Sequence, residues 1–383
     1  MNSNDMLVIS ATCAFGLESI LKSEIISLGY EITASGDGFA SIHGGVYDAY
    51  KLNIWLRTAN RVLIEVAEGA TEDFDSLFDL ARKTPWKDFL PSDAKFNVSR
   101  ISLGKSAIHS KSDSQRIIKK AMVDSLKEGY NIASLDESGP EYNIIVHIVK
   151  DYCKLAIDTS HSSLHKRGYR LQAGQAPLKE TLAAGIVSLS KFSGNCEFVD
   201  FMCGSGTIAI EAALAAKGMA PGANRRFAID NWGILSSSQK ADALESDVKK
   251  KLEYRILASD IDPRMVKLAR ENAARAGVED DIMFQKLDFR DFKSRKKYGI
   301  VATNPPYGER ISDGTSLREL YTKMGNVCSG LDGWSFFVLC SNPEFANCFS
   351  AKKPDRTRKL FNGDMACALY QYYGAPIKAR KRS

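Results

Sequence analysis

Histidine and paired cysteine are what this 383-residue chain has little of. It holds five histidines, and its eight cysteines are scattered with no Cys-x-x-Cys pair. Metal-ligand spacing is therefore absent, and so is a disulfide framework. The thiols read as small buried residues of a reducing compartment. No apolar run approaches the roughly 18–20 residues that span a bilayer. The opening Met1-Asn2-Ser3-Asn4-Asp5 is polar and acidic, unlike a signal peptide. The expectation is a cytoplasmic protein with neither a membrane nor a metal as partner. Internal repeats and low-complexity tracts are also missing. With 44% hydrophobic and 26% charged residues, the chain is large enough for two or three domains with real cores.

Two further absences concern glycine motifs. Residues 197–213 read as an apolar strand ending at Asp200, then Phe201-Met202-Cys203-Gly204-Ser205-Gly206, then a helix from Thr207. The third glycine of a dinucleotide fingerprint is not there, and no lysine follows to make a phosphate-cradling loop. Gly204 and Gly206 permit a tight turn and close approach of a ligand. A lone Gly-Ser-Gly is most often just a turn, but other motifs follow it in order. Residues 255–260 form a second strand ending in Asp260, and an acid there is the usual ribose acceptor of this topology. Asp262-Pro263 opens a helix to about Ala276, capped by Asp262 with proline in the first turn. Residues 282–287 form a third strand before Asp288, a candidate acceptor for an adenine amino group. A fourth strand, residues 298–303, leads into Asn304-Pro305-Pro306-Tyr307.

That tetrapeptide suits methyl transfer to a planar amino nitrogen. The lone pair of such a nitrogen is delocalised, so it is a poor nucleophile. The Asn304 side-chain oxygen and the Pro305 carbonyl can accept its hydrogens and orient it, and the Pro-Pro pair keeps the loop stiff. Tyr307 offers a face for a flat substrate. Alone, the tetrapeptide is also compatible with an ordinary Pro-Pro turn. A helix over 317–329, a strand over 335–340, and two strands joined by Asn362-Gly363-Asp364 complete seven strands, the last two an antiparallel hairpin. Alternating strands and helices imply a parallel sheet with its ligand beyond the carboxyl ends.

In these residues the C-terminal half resembles a class I S-adenosylmethionine-dependent methyltransferase of the amino-group branch. The resemblance covers roughly residues 164–373. It implies a Rossmann-like seven-stranded α/β domain that binds S-adenosylmethionine through Asp200, Cys203, Gly204, Ser205, Gly206, Thr207, Asp260, Ile261, Asp288 and Phe289. It makes Asn304, Pro305, Pro306 and Tyr307 the catalytic residues. Phe201 departs from the proline usual after the first acid. A thiolate role for Cys203 would need an activating group that the sequence does not show.

Substrate must be read from the first 160 residues. Their pattern is a strand at 6–11, a helix at 15–28, a hairpin-like pair around Gly36-Asp37-Gly38, a helix at 48–56 and a strand at 61–67. That βαββαβ order predicts an α+β ferredoxin-like unit. A helix at 73–83, a strand at 95–101, a helix at 114–128 and strands at 142–150 and 152–158 follow. Residues 53–61 and 110–117 resemble a THUMP RNA-binding domain and its ferredoxin-like partner. The expected domains are 1–68, 69–160 and 161–383.

The formal net charge is only +6, but it is unevenly spread. The first fifty residues hold one lysine against six acids, net −5. Residues 100–130 hold seven basic and three acidic groups, net +4; residues 161–179 hold four basic groups and no acid; residues 351–383 hold nine basic and two acidic groups, net +7. A charge run is usually a solvated face. Three basic regions in such an enzyme favour a polyanion. The expected RNA contacts are Lys105, Lys111, Arg116, Lys119, Lys120, Lys166, Arg167 and Arg170, with the basic tail at 378–382 a further phosphate contact. Leu164-His165-Lys166-Arg167-Gly168-Tyr169-Arg170 with Ala176-Pro177-Leu178-Lys179-Glu180 resembles the lead-in of bacterial large-subunit rRNA guanine-N2 methyltransferases, although a basic linker would look similar. The resemblance implies methylation of guanine N2 in structured RNA, most simply 23S rRNA. A tRNA guanine, an adenine in DNA, and a non-catalytic assembly factor remain as alternatives. Residues 218–252 read as an insertion with a charged helix at about 238–252, either packed on the surface or touching RNA.

Overall fold

A computed structural model describes residues 1, 5–170, 178–246, 248, 251–306, 316–350 and 352–374. It divides into two compact units. The first is Met1–Cys13, Leu21–Leu164 and Arg225–Glu245; the second is Ala14–Ile20, His165–Asn224 and Ser246–Ser383.

The first unit is built on one seven-stranded sheet. Its strands are β1 (Leu7–Cys13), β2 (Ala34–Gly36), β3 (Phe39–Gly44), β4 (Ala59–Ala70), β5 (Lys95–Leu103), β6 (Glu141–Val149) and β7 (Tyr152–Asp158), in the order β2-β3-β1-β4-β7-β6-β5. β1 to β4 give the ferredoxin-like arrangement expected from the βαββαβ pattern. Long β4 then pairs with β7 from Leu63↔Asp158 to Ala70↔Tyr152, so the THUMP-type strands continue the same sheet. The Lys111–Tyr130 helix begins three residues before its expected start. Ser110 caps it, accepting from the Asp113 N–H at 3.2 Å.

Residues 225–245 of the insertion pack inside this unit. Trp232 stacks on Tyr142 with ring centroids 4.7 Å apart, and its indole N–H donates to the Glu141 carbonyl at 3.3 Å. Phe227 meets Tyr50 edge-on. The Trp55 indole N–H donates to the Ala243 carbonyl at 2.8 Å. The helix expected over 238–252 is only Ser237–Leu244, because Glu245 turns to extended backbone.

The second unit carries β8 (Glu197–Asp200), β9 (Ile256–Asp260), β10 (Ile282–Lys286), β11 (Gly299–Thr303), β12 (Ser335–Cys340), β13 (Arg356–Asn362) and β14 (Met365–Tyr372). Their order is β10-β9-β8-β11-β12-β14-β13. β8 to β12 are parallel, and the predicted hairpin adds β14 and β13 antiparallel. The order reverses at β8, which lies between β9 and β11. Ligands in open α/β sheets bind at such a switch point, beyond the carboxyl ends. One apolar cluster, including Phe201, Val301, Met324, Trp334 and Phe345, holds this sheet against the Leu317–Ser329 helix. Leu17, from the early part of the chain, is fully buried in the same unit: a Cβ on Gly185 would come within 2.7 Å of its Cδ2.

Candidate active site

The cofactor turn is made by backbone geometry. Gly204 has φ +50° and Gly206 φ +83°, conformations that glycine adopts without strain. A Cβ at Gly206 would stand 2.9 Å from the Ala269 Cβ, so the turn presses on the Pro263–Ala276 helix. A Cβ at Gly204 would meet no atom within 4 Å. That open side borders a cavity of about 310 Å³. The Cys203 N–H donates to the Ser259 carbonyl at 2.9 Å and ties the turn to β9.

Asp260 stands at the end of β9 on the cavity. Its Oδ2 accepts from the Gly204 N–H at 3.0 Å and its Oδ1 from the Asp262 N–H at 2.9 Å. The carboxylate is thus fixed, with lone pairs left for a ligand hydroxyl. Asp262 is committed elsewhere: it caps its helix through the Arg264 N–H at 2.8 Å and pairs with the Arg264 guanidinium at 2.7 Å, which holds its pKa down. Next along the wall comes Ile261, 56% exposed, an apolar surface of the kind a purine ring covers. Asp288 and Phe289 border the same cavity. The Arg290 guanidinium grips both Asp288 oxygens, with Nε 2.8 Å from each, and lowers that carboxyl's pKa.

Asn304 and Pro306 reach the same cavity from the end of β11, while Pro305 is buried behind them. Tyr307 lies outside the described residues. All five residues of β11 are buried. Its last, Thr303, donates its hydroxyl to Asp200 Oδ1 at 2.8 Å, joining the ends of β8 and β11. Asp200 itself is 1% exposed and does not border the cavity. Burial pushes its carboxyl up to about 7, the bonds from Thr303 and Met202 act against that, and the charge of Asp260 adds to it. Cys203 is buried too, and burial raises its thiol pKa well above the usual range. That is the opposite of an activated thiolate.

The cavity draws on residues that the motifs did not single out: Met202, Leu287, Arg290, Leu320 and Lys323. The first three adjoin motif residues in sequence. Leu320 and Lys323 are three apart on the Leu317–Ser329 helix, the spacing of one helix face.

Two expected RNA contacts need correction. Arg167 is buried and pairs with Glu211 at 3.5 Å; Arg170 pairs with Glu180 at 3.7 Å, with only 8% of its side chain exposed. Neither can present its charge to a phosphate. Their carboxylates lie on the Thr207–Lys217 and Glu180–Ser190 helices, and burying those acids requires buried cations. Lys166 is exposed. In the first unit Lys105, Lys111, Arg116 and Lys120 are exposed. Arg116 pairs with Asp113, Lys119 lies 3.7 Å from Glu137, and Lys120 sits over the Phe78 ring. The basic tail lies outside the described residues.

A glycine turn open on one side, a fixed carboxylate and an exposed apolar residue fit an adenosyl ligand. The Rossmann-like sheet and this chemistry define a class I S-adenosylmethionine-dependent methyltransferase. Comparison with known proteins narrows the class. Residues 167–371 match the family described as the RMKL-like methyltransferase domain, 9–63 the RlmL ferredoxin-like domain, and 71–158 the THUMP domain. The chain is 39% identical, over 97% of both chains, to the YpsC protein of Bacillus subtilis (strain 168), which its name assigns provisionally as an RNA methyltransferase. It is 33% identical to the ribosomal RNA large subunit methyltransferase K/L of Syntrophotalea carbinolica, covering 94% of this chain and 53% of that one. The chain thus spans about half the length of the K/L relatives. The structure of SMU.472, a protein provisionally assigned as a methyltransferase and complexed with SAH, superposes with TM-score 0.91 at 35% identity, covering 98% of this chain and all of that one. This chain belongs to the THUMP-domain-containing, S-adenosylmethionine-dependent RNA methyltransferases of the RMKL type.

Proposed function

We propose that this enzyme methylates the exocyclic N2 of a guanine in large-subunit ribosomal RNA. The observation that carries the reading is the meeting of Asn304 with Gly204 and Asp260 on one cavity. Donor-side and acceptor-side residues then border the same cavity. S-adenosylmethionine, when bound, supplies a methyl group on a sulfonium leaving group. Gly204 to Thr207 carry its amino-acid portion, Asp260 accepts from its ribose hydroxyls, and Ile261, Asp288 and Phe289 surround its adenine. A guanine leaves its stack to reach the pocket. Asn304 Oδ1 and the Pro305 carbonyl accept from the amino group and orient its lone pair, and Tyr307 stacks on the ring. The nitrogen releases its proton after transfer, so positioning is the main contribution asked of the protein. Lys105, Lys111 and Lys120 add phosphate contacts from the first unit.

The test is transfer of labelled methyl to total RNA from a strain lacking the gene, followed by nucleoside analysis and mapping. N2-methylguanine in large-subunit rRNA is expected. Label in tRNA guanine or in N6-methyladenine would move the substrate to another amino group. Cofactor binding with no transfer to any RNA would make the chain a binding factor.

A further inference from the structure

The cofactor turn is enclosed by hydrogen bonds from residues that never touch the cavity. Arg170 donates to the Thr207 hydroxyl and, through the same Nη2, to the Leu178 carbonyl at 3.0 Å, and its charge is met by Glu180. The Thr207 hydroxyl lies 3.2 Å from the Ser205 hydroxyl. On the other side, Asn272, fully buried, donates to the Ser205 carbonyl at 2.9 Å. Arg275 closes the circuit. Its Nη2 donates to Asn272 Oδ1 at 2.6 Å and its Nε to the Tyr169 carbonyl at 2.8 Å, one residue before Arg170. The lead-in segment is pinned again by the Tyr169 hydroxyl, which donates to Glu211 at 3.1 Å, and by Arg167 beside it.

We infer that Arg170, Asn272 and Arg275 are positioning residues for S-adenosylmethionine: with Tyr169, Ser205 and Thr207 they form a closed hydrogen-bonded ring that holds the turn at residues 204–207 in its ligand-accepting shape. The inference rests on the assignment of that turn to the cofactor. The geometry explains why two glycines suffice. Gly204 and Gly206 lower the cost of positive φ but also widen the choice of backbone states. Fixing Ser205 and Thr207 on either side of Gly206 removes that choice before the ligand arrives, which is preorganisation. Arg275 uses two nitrogens of its fork, Nε on the Tyr169 carbonyl and Nη2 on Asn272, a pair that a lysine cannot reach together, while the nearly buried Arg170 bridges Thr207 and Leu178 through Nη2 alone.

The test measures S-adenosylmethionine by titration calorimetry and steady-state kinetics on the full chain carrying Arg170→Lys, Arg275→Gln or both, with Asp260→Ala as a reference. Arg275 is exposed, so its variant keeps the test alive should Arg170→Lys fail to fold. Each single variant should raise Kd and KM for the cofactor about 5- to 10-fold, the scale of one net hydrogen bond, with kcat at saturation within about 2-fold. The double variant should cost much less than the product of the two, because a ring once opened is already slack. Unchanged cofactor affinity in both single variants, with clear weakening in Asp260→Ala, overturns the ring and leaves the site standing. Unchanged affinity in all three overturns the ring together with the site. A loss in kcat alone would place these residues on the chemical step and also overturn the inference.

Discussion

Replacing Asp200 with asparagine should change how stability depends on pH. The carboxyl is buried and raised from its ordinary 3.8 to about 7, chiefly by desolvation. Between those values the folded chain keeps a proton that the unfolded chain has lost. The native state therefore binds more protons, and stability falls as pH rises through this window. At about 1.4 kcal/mol per pKa unit, the loss between about pH 5 and about pH 8 is roughly 2–3 kcal/mol. The Asp200→Asn side chain would keep an oxygen for the Thr303 hydroxyl, now 2.8 Å from Asp200 Oδ1, and would carry no titrating group. The assay is urea unfolding of both proteins at pH 5, 6, 7 and 8. The variant should gain on the parent steadily toward pH 8, with the difference levelling above about 7. Parallel stability curves would refute the reasoning, since they would mean that Asp200 has the same proton affinity folded and unfolded.

Asn304→Ala should lower methyl transfer about 10²-fold or more while leaving cofactor Kd near that of the parent, since it removes one well-placed polar contact at the reacting amine; single-turnover kinetics and calorimetry separate the two effects. Asp260→Ala should weaken cofactor binding by about 1–3 kcal/mol, and Asp262→Ala by much less, because Asp262 is held by Arg264. Charge reversal at Lys105, Lys111 and Lys120 should weaken RNA binding and flatten its salt dependence in filter binding across a salt series; an unchanged slope would remove these residues from the interface. Leu17→Ala should destabilise the second unit by about 2–5 kcal/mol, read as a lower unfolding midpoint, although residue 17 is far in sequence from that unit's sheet. A fragment beginning near residue 160 should fail for the same reason.

The site was legible where its signals are local. Strand, glycine turn and helix are contiguous at 197–213, and each cavity acid lies at or just past the end of a strand, so order alone grouped Gly204, Asp260, Asp288 and Asn304, which border one cavity. What pairs across the fold was not legible. Arg167 and Arg170 look in sequence like any basic run. The sign that they were structural lay elsewhere, in Glu211, a lone acid inside Thr207-Ile-Ala-Ile-Glu-Ala-Ala-Leu. A carboxylate on an apolar helix has to find a cation. The exchange of segments between the units was hidden for a related reason. Leu17 belongs to an ordinary amphipathic pattern, and nothing local says which core receives it. Phe227 and Trp232 were the better clue, since two large aromatics in an insertion ask for a buried partner.

The buried polar groups of the second unit share a physical logic. A methyl-transfer site must keep its cavity side free, so its loops cannot be held by packing on that side. They have to be fixed from behind. Behind Asn304 stands Thr303, bonded to Asp200 at the root of the cofactor turn. Next to Gly204 the Ser259 carbonyl holds the Cys203 N–H, and Asp260, on the cavity wall, holds the Gly204 N–H; both come from β9. Each contact joins the carboxyl end of one strand to its neighbour in the order β9-β8-β11, so donor and acceptor are referenced to the same three strands. Displacement by about 1 Å can cost on the order of 10²-fold in rate. A buried carboxyl with a raised pKa at the centre of this arrangement is therefore a stability cost that the positioning of β8 against β11 can justify.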